Sequence, residues 1–345
     1  MATARRRALA LAAPPPDPFG EHRRAAWCER RQLLGAHFEF EADSRALLEI
    51  VRAAYGGLPA HRLKQRAPRL RVRLALGGRS SRVQAAGRVE PPPVRALSGA
   101  GILCGAVGAP SFVALSPQQR AALIVVGAEM LRCPYHLRYE LLEFAVYVLA
   151  ARSQGLMPLH AGCVGYRGAG VLLIGASGAG KSTLVLHGAL AGLELLAEDS
   201  VLVRPADLRA TGVASFLHLR RDALRFLDAA SRRAVVRGAR VIRRRSGVEK
   251  LEIDLRRAPY RLAAAPLEIR AVVFLSAARR SSRALLEPVT RAVALRRLAA
   301  TQRYAAMQPG WQVFRKGVAT LPAYQLYRGE HPREAAARLR ALLIR

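Results

Sequence analysis

Val171-Leu172-Leu173-Ile174-Gly175-Ala176-Ser177-Gly178-Ala179-Gly180-Lys181-Ser182 is the stretch that decides the architecture of this chain. Four consecutive apolar residues suit a strand covered on both faces. Gly175 to Ser182 then satisfies the spacing GxxxxGK[ST]. Glycines let backbone N–H groups close around phosphate oxygens without a Cβ in the way. Lys181 supplies a compact positive charge for the β- and γ-phosphates, and Ser182 a hydroxyl for Mg²⁺. A helix from Lys181 to about Leu190, ended by Gly192, adds its positive N-terminal end. The expected ligands are ATP and Mg²⁺. The expected binding residues are Gly175, Ala176, Ser177, Gly178, Ala179, Gly180, Lys181, Ser182 and Thr183. Strand, phosphate turn, helix and further strands make an α/β layout.

The surrounding chain is strongly basic. Its 345 residues carry 56 Lys plus Arg against 24 Asp plus Glu, a formal charge of +32. Only Lys64, Lys181, Lys250 and Lys316 are lysines, so Lys181 stands where a small point charge is needed in a chain that otherwise uses Arg. Much of the excess is what an Ala- and Arg-rich, G+C-rich coding bias produces; the scarcity of acids still points to a polyanionic ligand or acidic partner. A polynucleotide is the weaker match, because aromatics are only 6% and nowhere interleave with basic residues as stacking platforms require. No apolar run approaches the roughly 20 residues of a membrane span. Cys28, Cys104, Cys133 and Cys163 form no metal-ligand spacing and suggest reduced thiols in a cytoplasm.

Three segments follow from composition and rhythm. Residues 1–34 are expected to be a basic, Pro-rich, disordered tail; the apolar run Ala8–Ala13 is too short for a signal peptide. Residues 35–154 are expected to form a smaller mixed α+β region. His37–Glu41 and Arg69–Leu76 alternate as strands, the second with one basic face, and Ser44–Tyr55 is spaced as a helix. Ser116-Pro117 is expected to open a helix running to Leu131, with another over Leu137–Ala151. Residues 155–345 hold the loop, apolar strands at Leu193–Ala197, Ser200–Val203 and Ala271–Leu275, and a closing helix from Pro332 to Leu343.

The acids after the loop bear on its chemistry. Glu198-Asp199 ends an apolar stretch 18 residues after Lys181, closer than an ordinary strand-end acid of this class. No base-reading N/TKxD element follows, which argues against a GTPase. Two adjacent carboxylates can divide kinase work, one at Mg²⁺ and one accepting a proton from an attacking hydroxyl. His160, in Pro158-Leu159-His160-Ala161-Gly162, lies 21 residues before Lys181, at the expected end of a strand preceding the phosphate-binding strand.

Taken together, His160-Ala161-Gly162, Gly175–Ser182 and Ala197-Glu198-Asp199 resemble the catalytic domain of HPr kinase/phosphorylase and its kinase-only relatives. The likeness is specific over about 158–204 and weaker onward, through Val213–Arg220 and Leu321–Leu326. It implies a P-loop kinase domain of the HPr kinase C-terminal type. It also implies Glu198 as proton acceptor in place of the family's Asp, Asp199 and Ser182 at the metal, and His160 and Lys181 in support. The Glu-Ile-Arg-Gly element of the bifunctional enzymes is missing after the acids, and Glu268-Ile269-Arg270-Ala271 comes too late, so no phosphorylase activity is expected. The activity implied is serine phosphorylation of a peptide or small protein, such as a ribosomally made peptide precursor. Bifunctional relatives form hexamers, so a homo-oligomer is compatible but nothing here demands one. From Arg204 to Arg245 twelve arginines, with Arg243-Arg244-Arg245 among them, suggest a dock for an acidic acceptor or a cover over ATP. The alternative is a nucleic-acid-associated P-loop NTPase using this basic surface.

Overall fold

Alternating and continuous apolar patterns separate two sheets of different character. The computed structural model describes residues 25–77, 93–107, 111–281 and 284–344. The expected tail lies outside the described residues up to residue 24. Its last part does not stay a tail: β1 (Trp27–Leu33) pairs antiparallel along its whole length with β2 (Ala36–Ala42). These join β3 (Arg69–Leu76), β4 (Arg95–Gly99), β5 (Ile102–Val107), β6 (Ser111–Ser116) and β7 (Ala121–Val126) in the order β1-β2-β3-β7-β6-β5-β4. Phe38, Phe40, Leu70, Val72, Leu74 and Ile124 point inward against helices Arg45–Tyr55 and Glu143–Gln154. The opposite face is charged but not purely basic, since Arg71 and Arg73 lie beside Glu41 and Asp43.

The helix expected from Pro117 to Leu131 is instead a hairpin. Arg120 takes φ +53° in the turn after β6, and Ala121–Val126 runs as the strand between β3 and β6. The β-branched Ile124, Val125 and Val126 favour this pleated position, and the sheet's need for a partner outweighs the Ser-Pro start signal. Only Ala128–Leu131 is helical. The helix expected over 137–151 is present, as a π-helical turn Leu137–Leu142 continuing into Glu143–Gln154.

The second half is built on β8 (Met157–Leu159), β9 (Gly162–Tyr166), β10 (Ala169–Ile174), β11 (Glu194–Ala197), β12 (Val201–Val203) and β13 (Arg209–Gly212). A small separate sheet of β14 (Phe216–Leu219), β15 (Arg240–Arg243) and β16 (Glu249–Asp254) lies above it. The main sheet is completed by β17 (Arg261–Leu262), β18 (Leu267–Arg279), β19 (Leu286–Pro288) and β20 (Ala323–Arg328). Its central strands β10, β18 and β20 are parallel. As the run Val171–Ile174 requires, β10 is buried on both sides. Val171 and Leu173 face helices Lys181–Leu190 and Pro332–Ile344, while Leu172 and Ile174 pack toward Phe274, Leu298 and Phe314.

The halves are joined by buried polar contacts. His61 lies 2.8 Å from the Thr211 hydroxyl and 2.9 Å from the Ala263 carbonyl, and Ser215 donates to the Ala54 carbonyl at 2.5 Å. Gly212 sits where β13 passes closest to the end of β11: a Cβ there would fall 2.6 Å from the Leu196 carbonyl oxygen and 2.7 Å from the Ala197 Cβ. Gly212→Ala should therefore push the two strands apart. Denaturant unfolding should report a loss of about 1–3 kcal/mol, the usual cost of overpacking, and a variant as stable as the wild type would refute the close approach.

Candidate active site

Strand direction brings the sequence-selected residues to one edge. The loop leaves the carboxyl end of β10, and β11, antiparallel to β9 as β10 is, ends at the same edge with Glu198-Asp199. β9 starts there, so His160 precedes it at that edge, with Gly162 opposite Leu173 and Cys163 opposite Ala197. Gly162 keeps this approach close: a Cβ there would come within 3.1 Å of the Glu198 carbonyl oxygen. This is the carboxyl edge at which open α/β sheets hold ligands.

The loop turns through left-handed backbone at Gly178 (φ +79°) and Gly180 (φ +100°), conformations glycine adopts at little cost. Helix Lys181–Leu190 begins with no side-chain cap and no acid in its first turn, so its first N–H groups are free for an anion. Lys181 is buried; its Nζ donates to the Gly175 carbonyl at 2.7 Å and lies 3.2 Å from His160 Nε2. An ammonium can only donate, so His160 Nε2 accepts and its proton is on Nδ1, 3.4 Å from Asp199 Oδ1. Gln302 grips the His160 backbone at both ends: its Oε1 accepts from the N–H at 2.8 Å and its Nε2 donates to the carbonyl at 3.1 Å.

Glu198 is buried behind the loop and accepts a hydrogen bond from the Ser182 hydroxyl. Ser182 thus meets Glu198, whereas the resemblance paired it with Asp199; Asp199, more exposed, meets His160. Burial, and next the charge of Asp199, push the Glu198 carboxyl up to about 7, against the pull of Ser182, Lys250 and Arg244.

Behind Glu198 runs a network the sequence signals little of. His218 Nδ1 lies 3.9 Å from Glu198 Oε2 and 3.2 Å from Arg244 Nη2, and its Nε2 lies 3.2 Å from Glu252 Oε1. Burial lowers the His218 pKa despite the Glu252 bond, so the neutral ring donates from Nε2 to Glu252 and accepts from Arg244 at Nδ1. Arg138, from the π-helical turn of the first half, closes on Glu252 with both terminal nitrogens. Of these residues His218 alone fell in a segment flagged by resemblance. Glu252 and Lys250 were legible only as the off-core face of a strand whose Leu251 and Ile253 face the core.

A cleft of about 670 Å³ opens in front of the loop, and Arg220, Arg244, Lys250, Arg279 and Arg328 line it with Lys181. The Arg243–Arg245 run does not form one patch. Arg243 is exposed on β15, Arg244 turns into the cleft and donates to the Tyr139 hydroxyl at 2.9 Å, and Arg245 binds Glu140 at 2.6 Å. Glu268 and Arg270 pair with each other at the start of β18, a strand's length from the loop. Among the described residues no cluster of three or more His, Cys, Asp or Glu could hold a metal, and no helix is long and apolar enough to cross a membrane. Cys28, Cys104, Cys133 and Cys163 form no disulfide.

The fold is mixed α/β with a partly parallel sheet. No family model and no curated protein matches the sequence. Among solved structures, the HPr(Ser) kinase/phosphatase from Coxiella burnetii is similar at 12% identity and a TM-score of 0.28, over 54% of this chain and 88% of that one.

The raised Glu198 pKa has a sign that can be measured. A carboxyl whose folded pKa lies above its unfolded value takes up protons on folding between the two, so stability falls as pH rises from about 4.5 to about 7. In the nucleotide-free protein, Glu198→Gln should flatten the fall of Tm across that window. An unchanged slope would place the titration elsewhere. Breaking the buried pair by Arg138→Met should cost about 3–5 kcal/mol, read by denaturant unfolding.

Proposed function

We propose that this chain is an ATP- and Mg²⁺-dependent kinase that transfers the γ-phosphoryl group to a Ser or Thr hydroxyl of a peptide or small protein. The observation that carries this reading is the meeting, at one sheet edge, of the glycine-rich loop and Lys181 with two adjacent carboxylates and His160. The uncapped helix start and the arginine-lined cleft suit a triphosphate. Ser182, Glu198 and Asp199 suit a hard cation that takes its other oxygens from phosphates and water. Those residues would hold Mg²⁺, which would supply positive charge against the phosphates.

Lys181 and the loop N–H groups hold and orient the phosphates. Glu198, on the Ser182 hydroxyl and closed in behind it, belongs to the metal side. Asp199 is the proton acceptor: it is the more exposed carboxylate, and His160 faces it with a proton on Nδ1. This exchanges the roles that resemblance implied for the two acids. In the transfer, the acceptor oxygen bonds to the γ-phosphorus as the bond from that phosphorus to the ADP oxygen breaks. The hydroxyl proton passes to Asp199. No phosphorylase activity is proposed.

Lys181→Ala should weaken ATP binding on the order of 100-fold, the loss of a charge-assisted contact. Asp199→Asn should keep ATP binding while transfer to an acceptor falls about 10²–10⁴-fold. Glu198→Gln should raise the Mg²⁺ concentration needed for half-maximal rate. Calorimetry with ATP and Mg²⁺ titrations of the rate separate the cases. Full transfer by Asp199→Asn, with a Glu198→Gln slowed about 100-fold or more at an unchanged Mg²⁺ requirement, would return the proton acceptor role to Glu198.

A further inference from the structure

A second cavity, of about 370 Å³, meets the nucleotide cleft at Tyr139, His160 and Asp199, which line both. Its walls are different in kind. Helix Glu143–Gln154 contributes Tyr147, Val148 and Ala151, and the segment after helix Arg291–Thr301 contributes Tyr304 and Ala305. The Tyr147 hydroxyl is directed to the Ser200 carbonyl at 3.4 Å, which leaves a largely apolar wall. Among the described lining residues Asp199 is the one acid, whereas Arg303 lines the groove and Arg152 reaches the Tyr304 hydroxyl at 3.4 Å. Tyr304 is 47% exposed, a large aromatic surface left open at the mouth.

The groove is also tied to the chemistry. Gln302, between Thr301 and Arg303, is the residue that grips the His160 backbone, so the same short segment shapes the groove and positions His160. Apolar walls offer nothing to phosphates, and the acid-poor, arginine-bearing rim complements a negative group. Resting on the kinase reading above, we propose that this groove is the acceptor subsite. It takes a peptide segment whose Ser or Thr hydroxyl lies at Asp199, with an apolar or aromatic residue beside it in the groove and an acidic residue toward Arg152 and Arg303. Transfer there is the step already written: oxygen to the γ-phosphorus, ADP leaving, proton to Asp199.

The test uses the full chain, Mg·ATP with a labelled γ-phosphate, and Ser-centred peptides flanked by Phe or Gly and by Glu or Lys. The Phe- and Glu-flanked peptide should have a kcat/KM about tenfold or more above the Gly- and Lys-flanked one, the scale of one buried anchor side chain. Tyr304→Ala and Val148→Arg should each raise its KM about tenfold while ATP affinity is unchanged; Tyr304 is exposed, so its truncation reports even where Val148→Arg does not fold. Phosphorylation with no flank preference and with KM unmoved in Tyr304→Ala overturns the groove assignment and leaves the kinase reading standing. ATP turnover to phosphate in water, with no peptide labelled, overturns the kinase reading and the groove with it.

Discussion

A carboxylate taken out of water has to be met by other groups, and Glu198 imposes that demand on the rest of the molecule. Unpaired, a buried charge costs several kcal/mol. Here Ser182 donates to it from the loop helix, Lys250 and Arg244 act on it electrostatically, and His218 stands 3.9 Å away, between it and Glu252. His218 must in turn be oriented, which Glu252 does, and Glu252 must be balanced, which Arg138 does from the first half of the chain. The chain of partners runs from the edge of the main sheet through the small sheet to a helical turn of the first half.

That chain explains why residues 35–154 belong with the site. The π-helical turn Leu137–Leu142 sends Arg138 to Glu252, Tyr139 to the cleft and Glu140 to Arg245. π-turns set side chains off the ordinary helical spacing, and they recur near functional sites for that reason. Three successive residues here reach three different partners. The buried His61 and Ser215 contacts hold the same two parts together farther from the cleft.

Legibility in the sequence followed the range of the interactions. The loop, its strand and its helix were readable because glycines, a continuous apolar run and Lys181 encode them within a dozen residues. His160 and Glu198-Asp199 were readable as neighbours because each ends or starts a strand at the loop's edge. The partner each acid takes was not, since a one-residue step along the chain reverses the direction of the side chain and only the packed structure shows which one faces Ser182. Arg138, Glu252 and Gln302 lie far from the loop in sequence, and nothing local distinguishes them from surface residues. The Ser-Pro signal at Ser116-Pro117 suggests a helix because it is read within a few residues, while β3, the parallel strand that claims the other side of Ala121–Val126, lies far away in sequence. The expected tail extends to residue 34 because a strand with several charges reads like polar chain until its partner β2 is known.

Lysine scarcity has a consequence for the reactivity of this protein. Lys64 and Lys316 are exposed, and Lys181 is buried and engaged by Gly175 and His160. Lys250 is half-buried: burial, and then the neighbouring Arg244, lower its pKa against the pull of Glu198 and Asp199. It stands on the wall of the cleft among guanidinium groups that do not acylate. Lys181 and Lys250, two of the four lysines in the chain, thus both line the nucleotide cleft, an address at which an amine-reactive nucleotide analogue would meet few competing side chains.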